Sequence, residues 1–274
     1  MNNSVINTDK KTGIVYRKWQ SGSTRAVFLL IHGLGAYSLR WDFLAQFFLK
    51  HSISSYAIDL KGFGETTTLK GHIDSFQTYY NDIQSLLSVI KKEHGTTKVF
   101  LIGESMGGLI AFIYAALMPA LSGGLVCISP VFKSRLKFTL SDYAKIFFSL
   151  VFCPEKKFVM PFDAKMCTSD EDCQKLVEDN KSEYRMVSSK LLFNILLEQI
   201  RVHVLKPEIK IPVLFLISGE DDIADAKTAE KVFKKLRSPD KHIVCYAQMR
   251  HALSIERERK KVFEDILTWV DSRA

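Results

Sequence analysis

The stretch GESMGG (103–108) sets Ser105 among three glycines, with the apolar run KVFLIG leading in and GGLIAFIYAALM leading out. A buried strand entering and an apolar helix leaving describe a strand–turn–helix that lifts a serine hydroxyl above the end of a sheet. The turn strains the serine backbone, and Gly103, Gly107 and Gly108 remove side chains that would clash there. A serine hydroxyl is a weak nucleophile at neutral pH and needs a general base within hydrogen-bond reach. Of seven histidines, His251 in QMRHALS follows the strand-like run HIVCYA and precedes the last helical pattern, which puts it at the same sheet edge. His51, His72, His94 and His203 sit in or beside helices and loops, and His242 begins a strand at the wrong end.

A general base needs an acid to hold its tautomer. The segment SGEDDIAD supplies Asp221, Asp222 and Asp225 directly after the buried run PVLFLI. Asp222, at the lip of the sheet, is the expected acid. Asp221 and Asp225 compete with it, and capping of the next helix is the other use for aspartates here. Acyl transfer also requires donors for an oxyanion. The loop in FLLIHGLGAYS predicts the Leu34 N–H as one donor and the N–H of Met106, the residue after the serine, as the other. His32 reads as a brace for that loop.

Short apolar runs recur near 13–19, 26–31, 53–59, 97–102, 123–129, 211–218 and 242–247, and several of them, such as AVFLLIH, KVFLIG, GGLVCIS and PVLFLIS, are continuously apolar. Unbroken apolar runs fit strands buried on both faces of a parallel sheet. Helical patterns alternate with them near 38–50, 74–93, 106–118, 225–237 and 256–272, which predicts an α/β fold with a mostly parallel central sheet flanked by helices. Residues 131–208 break the rhythm: they read as helices only and predict a cap inserted before the last strands, with 1–130 and 209–274 forming the core. Aromatic and aliphatic residues crowd this insertion. Phe148, Met160, Phe162 and Phe193 are the candidates for an acyl-binding wall, and the stripe also suits cap core or shallow contact with a lipid surface.

At 47% hydrophobic and 25% charged, the chain can build a sizeable core, and disorder is not expected. The net charge of +8 is mild, and no nucleic-acid motif accompanies it. Five basic residues between 250 and 261 face Glu256 and Glu258, as on a solvated helix face. No apolar N-terminal region and no membrane-length apolar run occur, so a soluble, cytoplasmic protein, touching membranes at most peripherally, is expected. The five cysteines include no CxxC pair. Cys127 and Cys245 read as buried free thiols, while Cys167 and Cys173 would pair only in an oxidising compartment. No HExxH, metal-spaced Cys/His cluster or phosphate-binding GxxxxGK[ST] loop is present, so neither metal nor cofactor is expected.

HGLG (32–35), GESMGG, SGEDD (218–222) and His251 together resemble the monoacylglycerol lipase and lysophospholipase branch of the α/β-hydrolases, often labelled serine aminopeptidase-like. DLKGFGET (59–66) resembles the branch's D-x-x-G-x-G-x-S loop, with Thr66 where serine is usual. The stretch from Met160 to Tyr184 resembles its cap loop. Two departures stand out: Glu104 precedes the serine, and KSEYRMVSS lacks the usual Asp-Pro turn. The resemblance implies an α/β-hydrolase fold and a carboxylester hydrolase acting on a monoacylglycerol- or lysophospholipid-like ester. It implies Ser105 as nucleophile, Asp222 and His251 as its partners, and Leu34 and Met106 as oxyanion donors. A peptidase or amidase on the same scaffold would want an acidic cluster in the cap, for which residues 170–172 are available. A non-catalytic binding protein would be expected to have lost a member of the triad.

Overall fold

The computed structural model describes residues 4–118, 121–204 and 209–274. In chain order its elements are β1 (Ser4–Thr8), β2 (Val15–Trp19), β3 (Ala26–Ile31), α1 (Asp42–Leu49), β4 (Ile53–Asp59), α2 (Gln77–His94), β5 (Lys98–Glu104), α3 (Met106–Leu117) and β6 (Gly124–Ile128). There follow α4 (Leu140–Phe152), β7 (Lys157–Val159), α5 (Ala164–Cys167), α6 (Glu171–Asp179), β8 (Met186–Ser188) and α7 (Ser189–Val204). The chain closes with β9 (Val213–Ser218), α8 (Ala226–Lys235), β10 (Lys241–Tyr246) and α9 (Arg259–Asp271).

Eight strands form one sheet in the order β1-β2-β4-β3-β5-β6-β9-β10. From β4 to β10 every neighbouring pair is parallel; the antiparallel pairs are β1–β2 and β2–β4, so β2 alone runs against the rest of the sheet. This is the α/β-hydrolase fold. β3, β4, β6 and β9 are buried along their whole length because helices cover both faces, which explains the apolar runs of β3, β6 and β9, while β4 buries Ser54, Ser55 and Asp59 among its apolar residues. Alternate side chains of β3 feed two separate cores. Phe28 and Leu30 join Phe48, Phe263 and Trp269 of α1 and α9, while Val27, Leu29 and Ile31 join Ile83, Leu109 and Phe112 of α2 and α3. β1 escaped the sequence reading because its residues alternate around half exposure at the sheet edge and carry little apolar signal.

The segment between β6 and β9 carries α4 to α7, and one feature differs from the helices-only expectation. β7 and β8 pair antiparallel in a separate two-stranded ribbon. Three-residue strands are too short to display a period of two, so they were silent in the sequence. Residues 205–208, the end of the expected cap, lie outside the described residues. All five cysteines are free thiols, including Cys167 and Cys173, and Cys245 is exposed on the edge strand β10 rather than buried. Among the described residues no helix is long and apolar enough to cross a membrane.

Phe112 lies at the centre of the α3 side of the core, fully buried, with Phe132 at 4.9 Å and Phe215 at 5.9 Å between ring centroids. Phe112→Ala is expected to destabilise the fold by about 3–5 kcal/mol, through lost transfer energy and the residual cavity. A denaturant midpoint unchanged from the parent would contradict this packing account.

Candidate functional site

Ser105 occupies the turn between β5 and α3 at φ 61°, ψ −121°, a left-handed conformation that costs a non-glycine residue energy. Neighbouring glycines make the turn feasible. A Cβ on Gly103 would lie 2.1 Å from the Gly107 carbonyl oxygen, and one on Gly107 would lie 2.1 Å from that of Ile31. The Ser105 N–H donates to Ile128 O at 2.9 Å, which ties the turn to the end of β6. Ser105 Oγ stands 2.8 Å from His251 Nε2, and His251 Nδ1 stands 2.8 Å from Asp221 Oδ2. His251 and Asp221 are both buried, so the imidazole and carboxylate interact with little solvent screening.

The carboxylate paired with His251 therefore belongs to Asp221 and not to the expected Asp222. Asp221 turns inward, where Oδ1 accepts from the N–H groups of Ile223 at 2.9 Å and Ala224 at 2.7 Å. Those two bonds leave Oδ2 aimed at the histidine. Asp222, one residue on, faces solvent. The backbone supplies the reason: Glu220 N donates to Met249 O at 3.1 Å, docking the loop after β9 against the loop after β10 one residue earlier than the sequence suggested. Asp225 caps α8 by accepting from Thr228 N, which accounts for the third aspartate.

The oxyanion candidates flank the serine. Met106 is the first residue of α3, where a helix N–H has no intrahelical acceptor. Leu34 lies in the loop after β3, and that loop presses on the serine closely enough that a Cβ on Gly33 would sit 2.9 Å from Ser105 Cβ. His32 braces the loop. Its Nδ1 donates to Gly33 O at 2.8 Å and its Nε2 accepts from Leu60 N at 3.0 Å, while burial lowers its pKa and keeps it neutral.

Sequence reasoning left two carboxylates without a role. Glu104 is buried beneath the turn, where it accepts from Ser254 N at 2.9 Å and Ser254 Oγ at 2.8 Å. It thus joins the serine turn to the segment three residues past His251. Burial raises its pKa, with the Ser254 bonds opposing that shift. Asp59, at the end of β4, accepts from Ser38 N at 2.6 Å and Glu65 N at 2.9 Å and holds the DLKGFGET loop against the β3 loop. The glycine spacing of that loop carried the signal, because a Cβ on Gly64 would collide with the Asp59 carboxylate at 2.4 Å.

A cavity of about 550 Å³ opens above Ser105 and reaches under the cap. Met160, Phe162 and Phe193 line it as expected, together with Leu109, Leu192 and Leu196. Phe148 does not: it is exposed on α4 outside the lining, and its neighbour Phe147 takes part instead. Both phenylalanines are exposed on α4, and the roughly 100° turn per residue on a helix puts Phe147 rather than Phe148 at the cavity edge. The acids at 170–172 do not reach the cavity. Asp170 caps α6 and pairs with Arg259 at 2.8 Å, and Glu171 and Asp172 are exposed. The wall does hold a buried ion pair, Arg40 with Glu183 at 2.8 Å. Burial opposes the Arg40 charge, but Glu183 and the other carboxylates outweigh it and the pKa is raised. Among the described residues no group of three or more His, Cys, Asp or Glu is placed to hold a metal ion.

Comparison with known proteins gives a consistent picture. The sequence model of the family described as serine aminopeptidase, S33, matches residues 22–258. The chain is similar to the monoglyceride lipase of Rattus norvegicus, 28% identical over 283 residues that cover 98% of this chain and 90% of that protein. It is also similar to phospholipase YtpA of Bacillus subtilis, 27% identical with coverage of 92% and 98%. Among solved structures it resembles the Paleococcus ferrophilus monoacylglycerol lipase, with a TM-score of 0.84, 25% identity, and coverage of 95% of this chain and 99% of that one.

Glu104 also makes stability depend on pH. An acid whose folded pKa is raised binds its proton more tightly when folded, so stability falls as pH rises from the ordinary glutamate value of 4.5 through the raised one. Glu104→Gln removes this charge. Its thermal midpoint relative to the parent is expected to improve as pH moves upward through that window, and a difference that stays flat with pH would count against the assignment.

Proposed function

Because the chain belongs to the serine aminopeptidase S33 family, we propose that it is a serine hydrolase that cleaves the ester of a single-chain acyl lipid, of the monoacylglycerol or lysophospholipid kind. The observation that carries this reading is the unbroken Ser105–His251–Asp221 relay, two hydrogen bonds of 2.8 Å, at the floor of a predominantly apolar cavity. The names of its similar proteins support the lipid ester as substrate.

In the proposed mechanism the acyl chain lies among the apolar cap residues with its carbonyl over Ser105. His251 Nε2 takes the hydroxyl proton as Oγ attacks, and Asp221 holds Nδ1–H so that the lone pair of Nε2 faces the serine. The N–H groups of Leu34 and Met106 receive the oxyanion, and the partial positive charge at the start of α3 adds to them. His251 then gives its proton to the leaving alkoxide, leaving an acyl-enzyme. Water, deprotonated by the same nitrogen, releases the fatty acid and restores the serine. At each step the proton is carried by His251 Nε2, while Asp221 stays ionised and holds Nδ1–H.

The test is turnover of a monoacylglycerol chain-length series. Ser105→Ala is expected to abolish it, by at least about 10⁴-fold in kcat. Asp221→Asn should cost about 10³- to 10⁴-fold through the wrong histidine tautomer. Asp222→Asn should stay within about twofold, as a surface change does. Loss in Asp222→Asn with a nearly intact Asp221→Asn would refute the relay, and no ester turnover by the folded parent would refute the esterase reading.

A further inference from the structure

The cavity above Ser105 is lined mostly by apolar side chains, and the charged groups among them are not equally well paired. Five groups contribute: Arg40, Lys133 and Arg185 against Glu104 and Glu183. Arg40 and Glu183 neutralise each other at 2.8 Å, and both side chains are largely buried. Glu104 is held under the serine turn by both donors of Ser254. Lys133 stands at the mouth, mostly exposed, with Asp225 at 3.7 Å. Arg185 is left over. Its guanidinium donates through Nη1 to Phe162 O at 3.3 Å, and among the described residues no carboxylate makes an ion pair with it, although Glu183, already bound by Arg40, lies near enough to feel its charge.

The position of Arg185 is fixed by backbone rather than by chance. Tyr184 N donates to Gly35 O at 2.8 Å, which seats residues 184–185 on the loop after β3. A Cβ on Gly35 would lie 3.2 Å from Tyr184 O and 3.5 Å from Arg185 Cγ. Gly35 is two residues from Gly33, which touches Ser105. The free guanidinium therefore shares a cavity wall with the serine, on the side of the proposed oxyanion loop. It is half-buried, and Met160 N donates to its carbonyl at 2.9 Å, so the cap holds it there.

We propose that Arg185 binds the phosphate of a lysophospholipid head group whose acyl ester lies at Ser105, and so favours an anionic head group over neutral glycerol. The proposal rests on the esterase reading and names the head group of that same site. A guanidinium offers a planar fork of donors that matches two phosphate oxygens at once, and such charge-assisted pairs are stronger than neutral hydrogen bonds. A bound glycerol would offer this guanidinium no charge-assisted partner, whereas a phosphate would. Arg40 does not serve, because Glu183 already fills its fork with contacts at 2.8 and 3.0 Å.

The experiment compares kcat/KM for octanoyl glycerol and the matching octanoyl lysophosphatidylglycerol in the parent, Arg185→Gln and Arg185→Lys. The parent is expected to prefer the phosphate-bearing ester. In Arg185→Gln the ratio of the two should fall by about tenfold or more, carried by KM. Arg185→Lys should recover part of it, since it returns the charge without the fork. Equal losses on both esters would mark Arg185 as a structural residue and overturn the proposal. So would a parent that cleaves the glycerol ester but not the phosphate-bearing one, an outcome that leaves the esterase reading standing. Cleavage of neither ester by folded parent would remove both.

Discussion

The close approach of three backbone segments around Ser105 is the constraint from which the rest follows. The end of β5, the start of α3 and the loop after β3 meet so tightly that no Cβ fits at Gly103 or Gly107 without moving a carbonyl. A serine forced to φ 61° inside this knot cannot relax, because the Ile128 carbonyl holds its N–H while its own carbonyl accepts from Leu109 and Val131. The strain is small beside the two cores that enclose the turn, each built from alternate faces of the same strands. One face of the sheet anchors α3 and the other anchors α9, whose preceding loop brings His251 into place.

Buried carboxylates do the fastening. Glu104 links the serine turn to Ser254, Asp221 links the β9 exit to His251, and Asp59 links the β4 exit to the β3 loop. Each accepts at least two bonds, several of them from backbone N–H groups, the arrangement that makes a buried carboxylate tolerable. Together they fix the loops after β3, β4, β5, β9 and β10 at one edge of the sheet. The geometry at Ser105 is thus a property of the sheet edge as a whole.

Much of this was legible in the sequence, and the omissions have physical reasons. Strands buried on both faces announce themselves as unbroken apolar runs, and the glycines around Ser105 declare the steric crowding directly. His251 could be chosen because it follows a late strand at the correct end, while His32, after β3, read as a brace for its own loop. Asp221 could not be separated from Asp222, because adjacent residues in a loop point in opposite directions and only the docking of that loop decides which points inward. Phe147 and Phe148 pose the same difficulty on a helix. The pairing of Arg40 with Glu183 joins residues far apart in sequence through a cap whose fold carries no periodic signal. Glu104 was visible as an oddity, but its partner Ser254 lay 150 positions away.

The cap is not attached evenly. Its α5–α6 portion is stitched to the histidine loop: Ala252 N donates to Cys167 O at 2.8 Å, Thr168 Oγ1 to Ile255 O at 3.0 Å, and Ser169 N to the buried Glu256 at 3.0 Å. Helix α4 stands apart, with Ser149 its one buried residue and Leu140, Val151 and Phe152 turned outward. It provides no hydrogen bond to Ser105, His251 or Asp221. The inserted segment is thus tied to the histidine loop through α5 and α6, while α4 packs on α7. The hydrogen bonds that join Ser105, His251 and Asp221 are therefore made without α4, which contributes only side chains to the cavity lining.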